Sequence, residues 1–232
     1  NPLADTQPFM RTTLLPGLFA AVARNTSRSQ DDLAVFECGA VFWGNDRGAA
    51  PMPDVSRRPS QDEIAAVTGN LPDQPRMVAG LLAGNWVPSG WQGPAEKADW
   101  RHAVHLAQTA AATLGLDLGR RATKRAPWHP GRCAELYVAS GDDEVVLGHA
   151  GELHPKVVKA FGLPERACAV EFDLDAMIAA APRGGEVAPI SPFPLTKQDV
   201  ALVVDYDVPA SLVRQALVDG AGELLESIRL FD

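Results

Sequence analysis

The chain has 232 residues, enough for one large domain or for one domain and part of a second. Hydrophobic residues make up 46% and charged residues 22%, a composition typical of a globular protein. The net charge of -8 argues against broad, non-specific nucleic-acid binding, because such binding needs an excess of Lys and Arg. No apolar run approaches the roughly 20 residues of a membrane span, and the three cysteines form no CxxC pair, so we expect a cytoplasmic protein with reduced, buried thiols.

The opening decapeptide, NPLADTQPFM, contains no initiator Met, and we expect the chain to be a piece of a longer protein. The next segment predicts a helix that Thr13 caps, with Pro16 in its first turn and Asn25 at its end. Its buried face is predicted from apolar residues at helical spacing, namely Leu15, Leu18, Phe19 and Val22.

Residues 33–43 are rich in Val and Phe and predict a strand, whereas residues 44–63 are polar and Gly/Pro-rich and predict a long surface loop. The continuous apolar run at 76–86 favours a buried strand. A helix is predicted after Ala98, with His102 and His105 on its solvent side. Its apolar stripe would consist of Trp100, Val104, Ala107, Ala111 and Leu114.

Two His-Pro pairs frame a predicted β-hairpin with strands at 133–140 and 145–150 around the turn sequence SGDDE. His129, Pro130 and Gly131 enter this hairpin. Gly151, Glu152 and His154 leave it, and Pro155 suits the first turn of a following helix. Residues 168–177 alternate and predict one more strand.

A Gly/Pro-rich break places a domain boundary near Pro189, which gives a first domain at 1–187 and a second at 188–232. Beyond the break, strands at 199–207 and 224–232 flank a predicted helix at 208–220. This βαβ unit is too small to bury a core by itself, and we therefore expect a truncated second domain.

Three functional hypotheses for the hairpin region remain open. A metal-dependent hydrolase would use His129, His149 and His154 as ligands, although only the spacing from His129 to Cys133 approaches that of a structural zinc site. A thiol nucleophile would pair Cys133 with His129 or His154. An RNA-binding module would use the basic side chains of residues 120–132 around Trp128, which are Arg120, Arg121, Lys124, Arg125 and Arg132.

Several longer motifs resemble the C-terminal half of the β subunit of bacterial phenylalanine–tRNA ligase. They are NPLADTQPFMRTTLLPGLFAAVARN, VFECGAVF, HPGRCAELYV with LGHAGELHPKVVKAFGL, and VEFDLDAM, and they span nearly all of residues 1–187 in order. The resemblance implies an α+β fold, in which a class II synthetase-like antiparallel sheet flanked by helices is followed by part of a ferredoxin-like βαβ domain that binds the anticodon.

The resemblance also implies that this module is inactive and contacts a catalytic α subunit in an (αβ)2 heterotetramer. ATP and Mg2+ are implied for that whole enzyme, with no cofactor or metal in this fragment. The sequence agrees with inactivity, since it holds no Phe-Arg dipeptide and no GxGxxxR segment, and Trp43 stands where the ATP-binding arginine would be. The His-Pro pairs would then be structural hallmarks.

In the tail, the family usually has Arg-Asp before the first strand, whereas this chain has Gln198-Asp199 preceded by Lys197. By the resemblance we expect Lys197, Arg214 and Arg229 to contact tRNA(Phe). Lysine is a poorer substitute for arginine wherever two hydrogen bonds to one phosphate are needed.

Overall fold

The structure is a computed structural model that describes residues 5, 8–44, 48–140, 143–182, 184, 190 and 192–231. The chain divides into two compact units, Asn1–Gly185 and Glu186–Asp232. The expected boundary between residues 187 and 188, and the composition break at Pro189, lie outside the described residues. In the described ranges, no helix combines the length and the apolar character that crossing a membrane requires.

The first unit is built on an antiparallel sheet. Its described strands are β1 (Leu33–Ala40), β2 (Arg76–Ala83), β3 (Asn85–Val87), β4 (Glu96–Lys97), β5 (Gly119–Ala122), β6 (Trp128–Ser140), β7 (Asp143–Leu153) and β8 (Cys168–Asp173). Six of them form one sheet in the spatial order β1-β2-β8-β7-β6-β5, while β3 and β4 pair separately. Every neighbouring pair is antiparallel, as the resemblance predicted.

Helices cover both faces of this sheet, which confirms the α+β class. The described helices of this unit are α1 (Leu15–Thr26), α2 (Gln61–Gly69), α3 (Trp100–Thr113), α4 (Pro155–Phe161) and α5 (Leu174–Ala180), of which α2 contributes no buried residue. One hydrophobic core joins α1 and α4 to the sheet, and a second joins α3 and α5 to the opposite face. In β2, Leu81 belongs to the first core and Leu82 to the second, which explains the continuous apolar run of this strand.

Helix α1 has the predicted buried face, formed by Leu15, Leu18, Phe19 and Val22. The predicted N-cap is wrong. Leu14 occupies that position without a side-chain cap. The Thr13 hydroxyl lies one residue earlier, where it contacts a carboxylate of the sheet and accepts the Leu15 N–H at 3.2 Å.

The predicted loop at 44–63 is too long, because helix α2 begins within it. Ser60 caps this helix, and Glu63 hydrogen-bonds back to the Ser60 backbone N–H at 2.8 Å. This reciprocal arrangement satisfies two N–H groups at the start of the helix. It overrides the polar, Pro-rich composition that favoured a loop.

Helix α3 buries part of the predicted stripe, namely Val104, Ala107 and Ala111, while Trp100 stays exposed. His102 is not a solvent-side residue as predicted. Its Nδ1 accepts the backbone N–H of Asp99, and its ring stacks on Trp86 with 4.9 Å between the ring centroids. The ring serves as a helix cap, which the apolar periodicity alone does not reveal.

The hairpin is confirmed, and its strands β6 and β7 are longer than predicted. His129–Gly131 lie within β6, where the pairing register shifts between Trp128 and Cys133. The last predicted strand is too long at its C-terminal end, since β8 stops at Asp173 and Met177 lies in α5. The Asp173 carboxylate accepts the N–H of Ala176 and so caps that helix at its start.

The second unit contains helix α6 (Ala210–Ala221) and a short 3-10 turn (Gly222–Leu224). The strands predicted at 199–207 and 224–232 are wrong, because the described residues of both segments form no strand. A strand needs a hydrogen-bonded neighbour, and propensity alone does not supply one. Val203 and Tyr206, which favoured a strand, are fully exposed.

Candidate functional site

A row of mainly polar side chains crosses one face of the six-stranded sheet. Its members lie directly opposite one another on adjacent strands, so they share one face although they are far apart in the sequence. In spatial order the row consists of Glu37, Ala79, Glu171, His149, Glu135 and Arg121. We call this set the polar row. It is the largest alignment of ionisable groups that the sheet positions within the described residues.

Glu171 is the central carboxylate of the polar row. The Thr13 hydroxyl lies 2.8 Å from each of its oxygens, and the backbone N–H of Leu14 donates to it at 2.7 Å. Burial raises the pKa of Glu171, and these hydrogen bonds oppose the rise only in part. The carboxylate therefore anchors the segment that precedes α1 to the middle of the sheet.

Arg11 anchors the same segment to the end of the row. Its guanidinium pairs with Glu37, and its Nε donates to the Ala40 carbonyl at 2.9 Å. Residues 11–14 therefore lie on this sheet face and occupy the Glu37 and Glu171 carboxylates.

At the other end of the row, His149 is buried and lies 3.8 Å from a Glu135 oxygen. Burial lowers the pKa of His149, and the nearby Arg125 charge lowers it further, so the ring is neutral near pH 7. Arg121 pairs with Glu135 at 2.6 Å and with Glu144 at 2.5 Å. Glu135, the acidic group near His149, is thus already paired with Arg121.

The two His-Pro pairs have equivalent local roles. His129 Nδ1 accepts the Gly131 backbone N–H, and His154 Nδ1 accepts the Lys156 backbone N–H, each at 3.1 Å. Pro155 occupies the first turn of α4, as predicted. Pro130 lies in the irregular start of β6. The ring centroids of the two histidines are 6.3 Å apart, and the ring planes are inclined by 28°.

Gly151 and Glu152 lie on β7, beside the backbone of β6. A Cβ at Gly151 would lie 2.1 Å from the Arg132 carbonyl oxygen, so this position needs glycine. The next residue, Glu152, is buried and pairs with Arg132 at 2.7 Å and Arg166 at 3.4 Å. Sequence analysis singled out Glu152 without its partners, because Arg166 lies on a separate turn.

The structure does not support the metal-dependent hydrolase. His129 and His154 use Nδ1 for backbone N–H groups, while His149 lies beside Trp128 and Glu135. In the described part of the chain, no three His, Cys, Asp or Glu side chains are grouped so that they could hold a metal ion.

A Cys133 nucleophile is also disfavoured. The side chain is buried, and burial raises the pKa of the thiol, which reduces the thiolate fraction. The expectation that all three cysteines are buried is wrong for Cys38, which lies exposed on the edge strand β1.

The basic stretch 120–132 does not form a single patch of unpaired charges. Arg121 and Arg132 make ion pairs with carboxylates of the sheet, whereas Arg120, Lys124 and Arg125 are exposed.

In the second unit, the side chains of Lys197, Arg214 and Arg229 are exposed. They lie on three separate segments, and Arg214 belongs to helix α6.

Comparison with known proteins identifies the family. Residues 1–174 match the model of the phenylalanyl tRNA synthetase beta chain CLM domain. Three relatives are named phenylalanine–tRNA ligase beta subunit. Over the whole chain, the protein of Cutibacterium acnes is 62% identical, that of Thermobifida fusca 53% and that of Mycobacterium leprae 44%. The chain covers 27%, 28% and 27% of these proteins, about a quarter of their length.

The structure of pyrrolysyl-tRNA synthetase from Desulfitobacterium hafniense aligns with 72% of this chain and 48% of that one, at a TM-score of 0.44 and 12% identity. That likeness is too weak to support any argument about function. The family match covers three quarters of the sequence and includes the whole six-stranded sheet. The chain therefore belongs to the phenylalanyl tRNA synthetase beta chain CLM domain family.

Proposed function

We propose that this chain is a non-catalytic region of a phenylalanine–tRNA ligase β subunit and that it scaffolds the catalytic α subunit. In this proposal the complete cytoplasmic (αβ)2 enzyme attaches phenylalanine to tRNA(Phe) with ATP and Mg2+, and α carries the chemistry. The family match and the beta-subunit names of the relatives support the proposal.

The polar row carries the non-catalytic part of the proposal. Residues 11–14 lie over this face and occupy the Glu37 and Glu171 carboxylates, and Glu135 is paired with Arg121. The cations at its two ends, Arg11 and Arg121, are paired with carboxylates. The polar row therefore presents no excess of positive charge that could hold a triphosphate.

The edge strand β1 supports the scaffolding part. It pairs with β2 on one side and ends the sheet on the other. Phe36 on this strand is 80% exposed, beside the exposed Cys38. An exposed apolar edge strand is suited to pairing with another chain. We propose that the α subunit docks here.

For the second unit we propose the first part of a ferredoxin-like anticodon-binding domain. Helix α6 would be a helix of that domain. Lys197, Arg214 and Arg229 would contact tRNA phosphates, since all three side chains are exposed.

Co-purification with the α subunit tests the scaffold. We expect the chain to co-elute with α and Phe36→Lys to elute separately, because a lysine on the edge strand opposes pairing. The control is Met52→Lys, which changes an exposed apolar residue away from β1 and should leave co-elution intact. Equal co-elution of both variants would contradict docking on β1. ATP–pyrophosphate exchange by this chain alone would contradict the non-catalytic assignment.

A further inference from the structure

Glu152 holds two arginines from different parts of the chain at the surface. The carboxylate is almost fully buried, with 5% of its side chain exposed, while the Arg132 and Arg166 side chains are 43% and 64% exposed. Each carboxylate oxygen contacts one guanidinium. The two cationic heads are therefore held close together by a group that is not itself accessible.

Most hydrogen-bond donors of this pair remain available. A guanidinium has about five N–H donors. Arg132 uses one of them and Arg166 uses two on Glu152, and these are the side-chain contacts that both arginines make with the described residues. Two positive charges and one negative charge leave the cluster with a net charge of about +1. A singly charged oxyanion would neutralise the cluster and would accept hydrogen bonds from its unused N–H groups.

The backbone at Arg166 points to a role for its side chain. Arg166 has a φ of 60°, in the left-handed region that favours glycine. A non-glycine residue costs about 1 kcal/mol there, and such strain persists where a side chain is needed. The strained turn places the guanidinium beside Glu152, 14 positions earlier in the sequence.

We propose that Arg132 and Arg166, oriented by Glu152, bind a phosphodiester of a nucleic-acid backbone. A phosphodiester carries a single negative charge, which balances the net positive charge of the cluster. Each of its two unesterified oxygens can accept hydrogen bonds from one guanidinium group. Glu152 is a positioning residue that holds both guanidinium groups in place. This site uses none of Lys197, Arg214 and Arg229, and it does not depend on docking of α. That the nucleic acid is tRNA rests on the proposed function.

The test measures binding of a short single-stranded RNA to the full chain by fluorescence anisotropy at several salt concentrations. Arg166→Gly removes the guanidinium and suits the left-handed backbone, so the variant should fold at least as well, which thermal unfolding checks. We expect its affinity to fall about fivefold. The slope of log K against log salt should decrease by about 0.7, the value for one phosphate contact on a single strand. Arg132→Lys keeps the charge but removes the planar guanidinium group, and we expect a smaller loss of affinity than for Arg166→Gly.

The matched control is Arg28→Gln, which removes one exposed charge beyond the end of α1 and should leave the salt slope within error. All measurements are repeated with Lys197, Arg214 and Arg229 changed to Gln, so that binding by the second unit does not mask the site. Equal affinity of the Arg166→Gly and Arg28→Gln variants would overturn the proposal. Competition by acetate as strong as by dimethyl phosphate would also overturn it, as would binding of inorganic phosphate without any binding of RNA.

Discussion

The Thr13 hydroxyl lies 2.8 Å from both carboxylate oxygens of Glu171, although the two residues are 158 positions apart in the chain. This contact fastens the start of α1 to the middle of the sheet. The same hydroxyl accepts the backbone N–H of Leu15, the first residue of α1, at 3.2 Å. The buried Glu171 carboxylate thus fixes the position of the segment that leads into α1.

Replacing Glu171 should show how much this anchor stabilises the chain. Glu171→Ala leaves the N–H of the buried Leu14 unsatisfied, and we expect a loss of about 2 kcal/mol. Glu171→Gln keeps an acceptor for Leu14 and a donor for Thr13, and it should lose much less. Urea unfolding at pH 7 measures both values, and equal losses would show that hydrogen bonding at this carboxylate is not what matters.

The pH dependence of stability should change in opposite ways for Glu171 and His149. Because the folded pKa of Glu171 is raised, its contribution to the free energy of unfolding is present below its ordinary pKa and is lost as pH rises through the folded pKa. Stability should therefore decrease over this pH range, and we expect Glu171→Gln to remove that decrease. Unfolding free energies measured between pH 4 and pH 7 test this, and an unchanged profile would contradict the raised pKa.

For His149 the pKa is lowered, so the unfolded chain binds a proton more readily than the folded one. Stability should therefore fall as pH drops below the ordinary value of 6.5 toward the folded pKa. His149→Gln should reduce the difference in thermal stability between pH 7.5 and pH 5.5. His105→Gln, which changes an exposed histidine on α3, is the control and should not reduce it. An NMR titration of the His149 ring that gave an ordinary pKa would refute the prediction.

Gly148 should tolerate no side chain. A Cβ there would lie 2.0 Å from the Glu171 carbonyl oxygen, which belongs to the neighbouring strand backbone and cannot move away cheaply. We expect Gly148→Ala to destabilise the chain by about 3 kcal/mol. At Gly131 the nearest atom is 3.5 Å away on the His129 ring, so Gly131→Ala should be close to neutral. Denaturant unfolding of the two variants makes the comparison, and similar values would count against close approach of β7 and β8.

The three thiols should differ in reactivity. Cys38 is exposed, while burial raises the pKa of Cys133 and raises that of Cys168 to about 12. A thiol reagent should modify the native chain rapidly at Cys38 and should need unfolding to reach the other two. Cys38→Ser should abolish the rapid phase with little change in stability. A rapid phase that persists in this variant would show that a second thiol is accessible.

Local patterns predicted much of the first unit because they are set by neighbours in the sequence. The spacing of Leu15, Leu18, Phe19 and Val22 is enough to define the buried face of α1. Pro155 likewise marks the start of α4. The same local reasoning failed for residues 199–207, where β-branched residues form no strand, because pairing is not a local property.

The candidate site was missed for a related reason. Glu171 interrupts an apolar strand, and that interruption was its only signal in the sequence. Nothing near Glu171 indicates that Thr13 and His149 would be its neighbours. Arg166 gave no signal either, since its role depends on a backbone angle and on a partner in another strand.

The sequence by itself determined the family, the hydrophobic faces of the helices and the β-hairpin, because each depends on motifs or on periods of a few residues. Only the tertiary structure decided which side chains meet. The polar row is assembled from the register of six strands, and Glu152 meets Arg132 and Arg166 across separate elements. Cross-strand neighbours are fixed by long-range backbone pairing and by the packing of two cores, which a linear pattern does not encode residue by residue.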